Sequence, residues 1–288
     1  MNVRRISLGL LTALFLLNTG MARAGQMTAA APYPPLETWK KAVLAGNSTQ
    51  IAGLYGSSPQ IMTAGSKNLS ATDDANYWAG WKAKGLTHIA SEIVQQQNPQ
   101  PNAHVVVLHL ALTVHEKGAA KKYFIAMAQG WVEQKGEWKI AFEQRGDPAG
   151  LRQPIEKHDI YSATADARQE IADAIRLATA THKNIVLVFG GNWCYDCHVL
   201  DDAFHSEEIA PTLNKSFEVV HVDVGEYDKN LDIAKQYAVP LERGVPALAV
   251  LDSSGKLLYS QKSGEFEKTR VLSTEDIVAF LNKWKPRA

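Results

Sequence analysis

Asn184-Ile-Val-Leu-Val-Phe-Gly-Gly-Asn-Trp-Cys-Tyr-Asp-Cys-His198 holds the only two cysteines of the chain, Cys194 and Cys197, just beyond a short apolar run. Ile185 to Phe189 is continuous in its apolar character, the pattern of a strand buried on both faces of a parallel sheet, and Gly190-Gly191 breaks it. Beyond Cys197, Leu200, Ala203 and Phe204 recur at spacings of three and four, which is one face of a helix. Cys194 is therefore expected at a helix N-terminus. There the unpaired backbone N–H groups and the dipole favour an anion, and draw a thiol pKa down from about 8.5. Cys197 falls in the first turn, within reach of a mixed disulfide formed at Cys194. A strand, a glycine break and a dithiol at a helix mouth suit redox exchange.

Other chemistry uses the same residues and predicts different surroundings. Cys194-x-x-Cys197-His198 is also the string for covalent haem attachment. Haem needs a second axial ligand, often Met, yet the five Met residues are 1, 21, 27, 62 and 127, all upstream of the motif; His205 and His221 remain as candidates. Zinc is less well served, since two cysteines and one nearby histidine make an incomplete ligand set. An inert pair is the remaining alternative, and packing alone gives little reason for two cysteines at this position.

These residues resemble the thioredoxin superfamily, and more closely its secreted bacterial members, including the periplasmic C-terminal domain of the transmembrane thiol:disulfide interchange reductase. The similarity covers about residues 161 to 288. It rests on Trp193-Cys-Tyr-Asp-Cys197, on Phe204-His-Ser-Glu-Glu-Ile209 as the start of a following helix, and on the strand Val219 to Val224. It continues through Gly244-Val-Pro-Ala-Leu-Ala-Val-Leu-Asp252 and through Ser253-Ser-Gly-Lys256, which joins two antiparallel strands. The resemblance implies an α/β thioredoxin fold with a central mixed sheet. It makes Cys194 the attacking and Cys197 the resolving thiol, and Pro246 a cis residue facing them. Val245 would offer its backbone to a substrate strand, with Trp193, Tyr195 and Asp196 on the contact surface.

Two departures bear on the chemistry. Thioredoxins proper carry a buried aspartate six residues before the first cysteine, where this chain has Val188, so proton transfer needs another route. The residues between the cysteines are Tyr195-Asp196, and a carboxylate beside the sulfurs is expected to oppose thiolate formation and give a reducing centre. The plainer alternative for Asp196 is a solvated loop carboxylate.

At the N-terminus, Arg4 and Arg5 precede an apolar stretch from Leu8 to Leu17, and Ala22-Arg-Ala24 supplies small residues for cleavage. Residues 1–24 read as a signal peptide, which predicts a periplasmic or secreted protein. Ten residues are too few to span a bilayer, which needs about twenty, so the mature chain is not expected to be membrane-embedded. The 288 residues carry 30 basic and 30 acidic side chains, and a balance near zero offers no field to recruit nucleic acid. With every cysteine in one motif, the core must be held by packing and not by disulfides.

Gly146 to Pro154, whose two glycines and two prolines, Pro148 and Pro154, interrupt regular structure, marks a boundary. The organisation expected is a first domain over 25–147, a linker over 148–160 and a second domain over 161–288. In the first, 36–45, 48–55 and 73–84 read as helices, and 88–95, 103–115, 121–134 and 137–145 as an antiparallel meander turning at Gln134-Lys-Gly136. This order, closing on Gly136-Glu-Trp-Lys-Ile-Ala-Phe142, resembles the cone-shaped α+β fold with a curved antiparallel sheet of nuclear transport factor two and the SnoaL-like proteins. That fold hosts both enzymes and binding or dimerising domains. Val106, Leu108, Leu110, Leu112 and Val114 are expected to face the core. His109, Thr113 and His115 then occupy the solvated face, although a polar pocket is the alternative. Tyr123, Ile125, Met127 and Trp131 share one face, as core or dimer surface.

The expected function is a periplasmic thiol–disulfide oxidoreductase that reduces protein disulfides, with no cofactor and no metal. Its partners would be protein disulfide or dithiol substrates and a membrane thiol–disulfide reductase as electron donor, with dimerisation through the first domain. One alternative is a redox-regulated binding module whose dithiol does not turn over. Another is an isomerase-like or hydrolase-like first domain served by the second.

Overall fold

The strand that leads to the cysteines is buried at every position, and the computed structural model shows why. It describes residues 33–65 and 68–287; the expected signal peptide lies outside the described residues. In the C-terminal domain, α4 (Ala167–Thr181), β6 (Asn184–Gly190), α5 (Tyr195–Phe204), α6 (Ala210–Ser216), β7 (Phe217–Asp223), α7 (Leu231–Gln236), β8 (Ala247–Leu251), β9 (Leu257–Ser260) and α8 (Thr274–Trp284) follow in order. The sheet runs β7-β6-β8-β9, with β6 parallel to β7 and antiparallel to β8, and β8 antiparallel to β9. This is the mixed sheet the resemblance implies.

Strand alternation sorts the core into two layers. Ile185, Leu187 and Phe189 pack with Ile171 and Ala178 of α4 and Ile233 of α7. Val186 and Val188 pack with Val199 and Leu200 of α5, Leu213 of α6 and Ile277 of α8. Helices cover both faces of β6, so its run had to be apolar throughout. Helix α8 starts on a capping box, Ser273 accepting from the Asp276 amide and Asp276 accepting from the Ser273 amide. The segment Phe204–Ile209, expected to begin a helix, instead spans the end of α5 and the turn before α6.

The N-terminal domain has α1 (Pro34–Ala45), α2 (Ser48–Gly53), β1 (Tyr55–Thr63), α3 (Ala71–Ala83), β2 (Leu86–Gln100), β3 (Ala103–Glu116), β4 (Ala119–Gln134) and β5 (Glu137–Arg145). Its five-stranded sheet runs β1-β5-β4-β3-β2, and the three helices cover one face. Val106, Leu108, Leu110, Leu112 and Val114 are fully buried, as their alternation demands, and Ile125, Met127 and Trp131 join the same cluster, with Tyr123 packed against it. β1 is a correction to the sequence reading, which ended a helix at Tyr55 and gave the next residues no element. Its Gly-Ser-Ser-Pro composition carries no strand signal, and Pro59 is tolerated because β1 is an edge strand, parallel to β5.

His109 is a second correction. It is buried, because the segment expected as a linker lies over its face of the sheet: His109 Nε2 donates to the Gln153 carbonyl at 2.7 Å, and Arg152 Nε donates to His109 Nδ1 at 2.9 Å. Ala149 and Phe124 exchange backbone hydrogen bonds at 2.8 and 2.9 Å, and Leu151 is buried against the α5–α8 layer. Residues 149–153 therefore form a docked strap touching both domains.

Candidate active site

Cys194 is the N-cap of α5, and it forms a disulfide with Cys197 across a Cα–Cα distance of 5.3 Å. The Cys197 backbone N–H donates to Cys194 Sγ at 3.1 Å, which is the orphan-amide contact expected of a sulfur in the cap position. Facing it, the Val245 carbonyl oxygen lies 3.5 Å from Cys194 Sγ, and the Val245–Pro246 peptide is cis. An amide donor favours a thiolate there and a carbonyl oxygen opposes one, so the two partly offset each other. Both cysteines are buried, at 5% and 2% exposure, which leaves little room for solvent to stabilise a charged sulfur.

Trp193 is the open part of the rim. It is 41% exposed, donates from Nε1 to the Gly225 carbonyl at 2.8 Å, and tilts against Tyr227 at 5.6 Å between ring centroids. Beyond Tyr227 a shallow groove continues past Leu231, Leu241, Glu242 and Arg243 to Gly244, so the Pro240–Arg243 segment shapes the surface leading to Val245. Val245 and Pro246 are themselves buried behind the sulfurs.

Tyr195 and Asp196 turn inward. Tyr195 donates to Gln153 Oε1 at 3.2 Å and lies under the Arg270 guanidinium. Asp196 is buried and held by Arg270: the Arg270 backbone N–H donates to Oδ1 at 2.8 Å, Nε donates to both carboxylate oxygens at 3.1 and 3.0 Å, and Nη2 donates to Oδ2. Neither expectation for Asp196 survives. It is not solvated, and its charge is neutralised at a bidentate pair instead of standing alone beside the sulfurs.

Three contributors were not visible as motifs. Arg270 lies 74 residues from Asp196 in sequence. Asn192 accepts through Oδ1 from the Ile160 and Tyr161 amides, both at 2.9 Å, and donates through Nδ2 to the Tyr161 carbonyl at 2.9 Å, clamping residues 160 and 161 to the cysteine loop. Lys157 donates to the Trp193 carbonyl at 3.2 Å. His198 is fully buried, and its Nε2 donates to the Asn192 carbonyl at 2.9 Å, so the histidine of the haem-attachment string is committed to holding the loop. Among the described residues no group of three or more His, Cys, Asp or Glu side chains is arranged to hold a metal ion, and no helix is long and apolar enough to cross a membrane.

A family model described as thioredoxin-like matches residues 166–253. A disulphide isomerase from Xylella fastidiosa Temecula1 is 38% identical over 44% of this chain and 96% of its own, with a TM-score of 0.42. For the N-terminal part, an NTF2-like protein of unknown function in nutrient uptake from Rhodospirillum rubrum is 15% identical over 39% of this chain and 93% of its own, with a TM-score of 0.34. A ketosteroid isomerase-like protein from Erwinia carotovora atroseptica is 12% identical over 42% and 97%, with a TM-score of 0.34. No curated protein matches the chain.

Proposed function

The chain belongs to the thioredoxin-like family through its C-terminal domain, and from that premise we propose that it is a periplasmic thiol–disulfide oxidoreductase that reduces protein disulfides. The observation that carries the proposal is the dithiol itself: Cys194 caps α5, faces Val245, and pairs with Cys197 one turn on. In the reduced protein the Cys194 thiolate attacks one sulfur of a substrate disulfide, forming a mixed disulfide and releasing the first substrate thiolate. Cys197 then attacks Cys194 Sγ, the Cys194–Cys197 bond forms, and the second substrate thiolate leaves. Two electrons pass to the substrate, and a membrane thiol–disulfide reductase would restore the dithiol. The relative named as a disulphide isomerase fits the same first step, since isomerisation also begins with a thiolate attacking a substrate disulfide.

The reducing direction rests on Val245, because Asp196 is paired with Arg270. A carbonyl oxygen at 3.5 Å opposes a charged Cys194, and a dithiol whose thiolate is not strongly stabilised is a weak oxidant. The periplasmic location rests on Arg4, Arg5, Leu8 to Leu17 and Ala22-Arg-Ala24. Trp193 and the Tyr227–Gly244 groove supply the substrate surface, with Val245 as the backbone partner.

The test is insulin reduction by the mature protein with dithiothreitol as donor, together with its equilibrium reduction potential in glutathione buffers. Turnover lost in Cys194→Ser, with a potential near or below about −220 mV, is the expected result. A potential near −120 mV would make the protein an oxidant. Tight partner binding without turnover would assign it instead to a redox-regulated binding module.

A further inference from the structure

Val188 leaves the proton chemistry of Cys197 without the carboxylate that thioredoxins proper use, and β6 shows what stands nearby. Gly190, at the end of the strand, is packed so closely that an ideal Cβ there would overlap the Tyr161 hydroxyl oxygen and would lie 2.6 Å from Cys197 Sγ. The phenol oxygen and the sulfur therefore flank one atom-sized space and stand no more than about 5 Å apart. No hydrogen bond joins them while Cys197 is in the disulfide.

We infer that Tyr161 is the hydrogen-bond donor that stabilises the Cys197 thiolate when the disulfide opens, and so sets the rate at which Cys197 resolves a mixed disulfide. The inference rests on the exchange reaction proposed above and adds the residue that makes its second step feasible. Four observations support it. Tyr161 is 2% exposed, so its hydroxyl stands beside the sulfur with little competition from bulk water. Its backbone is fixed on both sides by Asn192 of the cysteine loop, so ring and dithiol move as one body. His221 of β7 meets the Tyr161 ring edge-on at 5.4 Å between centroids, limiting the ring's orientation. Burial first, then the charges of Asp201 and Asp223, raise the phenol's pKa, so it remains a protonated donor across the working range.

The charged surroundings leave this role open. Asp201 faces His158 at 3.1 Å, His205 at 3.6 Å and His221 at 3.7 Å, and Asp196 on the helix of Cys197 is paired with Arg270. In the step itself Tyr161 keeps its proton. Cys197 gives its own to the first substrate thiolate, released when the mixed disulfide formed, and attacks Cys194 Sγ as a thiolate; the second substrate sulfur then leaves as a thiolate carrying the electron pair of the broken bond. The hydroxyl lowers the cost of a buried anion during that interval.

The experiment is Tyr161→Phe in the full mature chain. The Cys197 thiolate is titrated by ultraviolet absorbance in a Cys194→Ser background, and release of a pre-formed mixed disulfide is followed in the otherwise native dithiol. The expected result is a Cys197 midpoint raised by about one pH unit and release slowed about threefold at neutral pH, the loss of thiolate being partly offset by its greater nucleophilicity, with the slowing diminishing at alkaline pH, at an unchanged melting temperature. An unchanged midpoint and an unchanged release rate would overturn the inference. A variant that does not fold leaves a measurement on the native tyrosine: the Tyr161 ring-carbon resonance beside the hydroxyl should follow Cys197 ionisation in the Cys194→Ser protein, and its failure to do so would also overturn the inference. Insulin reduction separates the two levels. Absent turnover with a shifted midpoint removes the proposed function and retains the Tyr161–Cys197 contact, whereas full turnover with no shift removes the contact alone.

Discussion

Asp196 shows how one partner reverses the meaning of a residue. Between two cysteines in a sequence, a carboxylate signifies repulsion of a thiolate. In the fold it is buried, and Arg270 supplies two side-chain nitrogens and a backbone amide to it. Removing either partner should therefore move the sulfur chemistry in opposite directions. Arg270→Ala leaves a buried unpaired carboxylate beside Cys194; we expect a higher Cys194 pKa and a stability loss of roughly 1–3 kcal/mol, held below the fully buried case because half the Arg270 side chain meets solvent. Asp196→Asn leaves an uncompensated guanidinium, and the Cys194 pKa should fall. Thiolate absorbance against pH, with thermal unfolding of the same samples, checks both. A fall in both variants would mean that the pair does not govern the thiol.

At the level of elements, what could be read in advance was what is contiguous. Ile185 to Phe204 declares strand, break, cap and helix because each signal lies within a turn or two of the next, and Ser273 to Asp276 declares its cap for the same reason. The strap over 149–153 could not be read this way. Its prolines and glycines indicate the end of regular structure, but only tertiary contact shows that Leu151 is buried in the C-terminal core while Gln153 receives His109 from one domain and Tyr195 from the other. β1 is hidden for a similar reason, since an edge strand with only Tyr55 and Ile61 buried has no alternation to find. The strap makes its own prediction. Leu151→Ala should cost about 2–5 kcal/mol, as truncation of a buried leucine does, and a comparable change in a merely tethering linker would cost almost nothing. Urea unfolding followed by hydrogen-exchange protection of the β6 and β8 amides reports it, and an unchanged midpoint would return the segment to the status of a linker.

Over the whole molecule, the hydrophobic cluster of the N-terminal domain is separate from the two that flank the C-terminal sheet, so two unfolding transitions are expected, each with its own pH dependence. In the N-terminal core, Asp74 and Glu143 are fully buried with a single guanidinium, Arg145, between them. Trp78 Nε1 and Gln129 Nε2 donate to Glu143 at 3.1 and 2.9 Å, and Tyr55 donates to Asp74. One positive charge balances one carboxylate, and burial followed by the Asp74 charge pushes the Glu143 pKa up to about 7. A carboxyl whose folded pKa exceeds its ordinary value contributes stability that is complete below about 4.5 and is lost as the pH rises through about 7. The C-terminal domain has the opposite sign at His221, whose pKa is lowered mainly by burial: its contribution is present above about 6.5 and is lost as the pH falls. Raising the pH from about 5 to about 8 should therefore lower the N-terminal transition by an amount equivalent to a few kcal/mol, while the C-terminal transition holds or rises. Glu143→Gln keeps the shape and cannot ionise, so it should flatten the N-terminal slope and leave the other unchanged. Calorimetry across that range decides it: parallel movement of both transitions would mean that the strap couples the domains into one cooperative unit, and that the buried glutamate destabilises the redox domain along with its own.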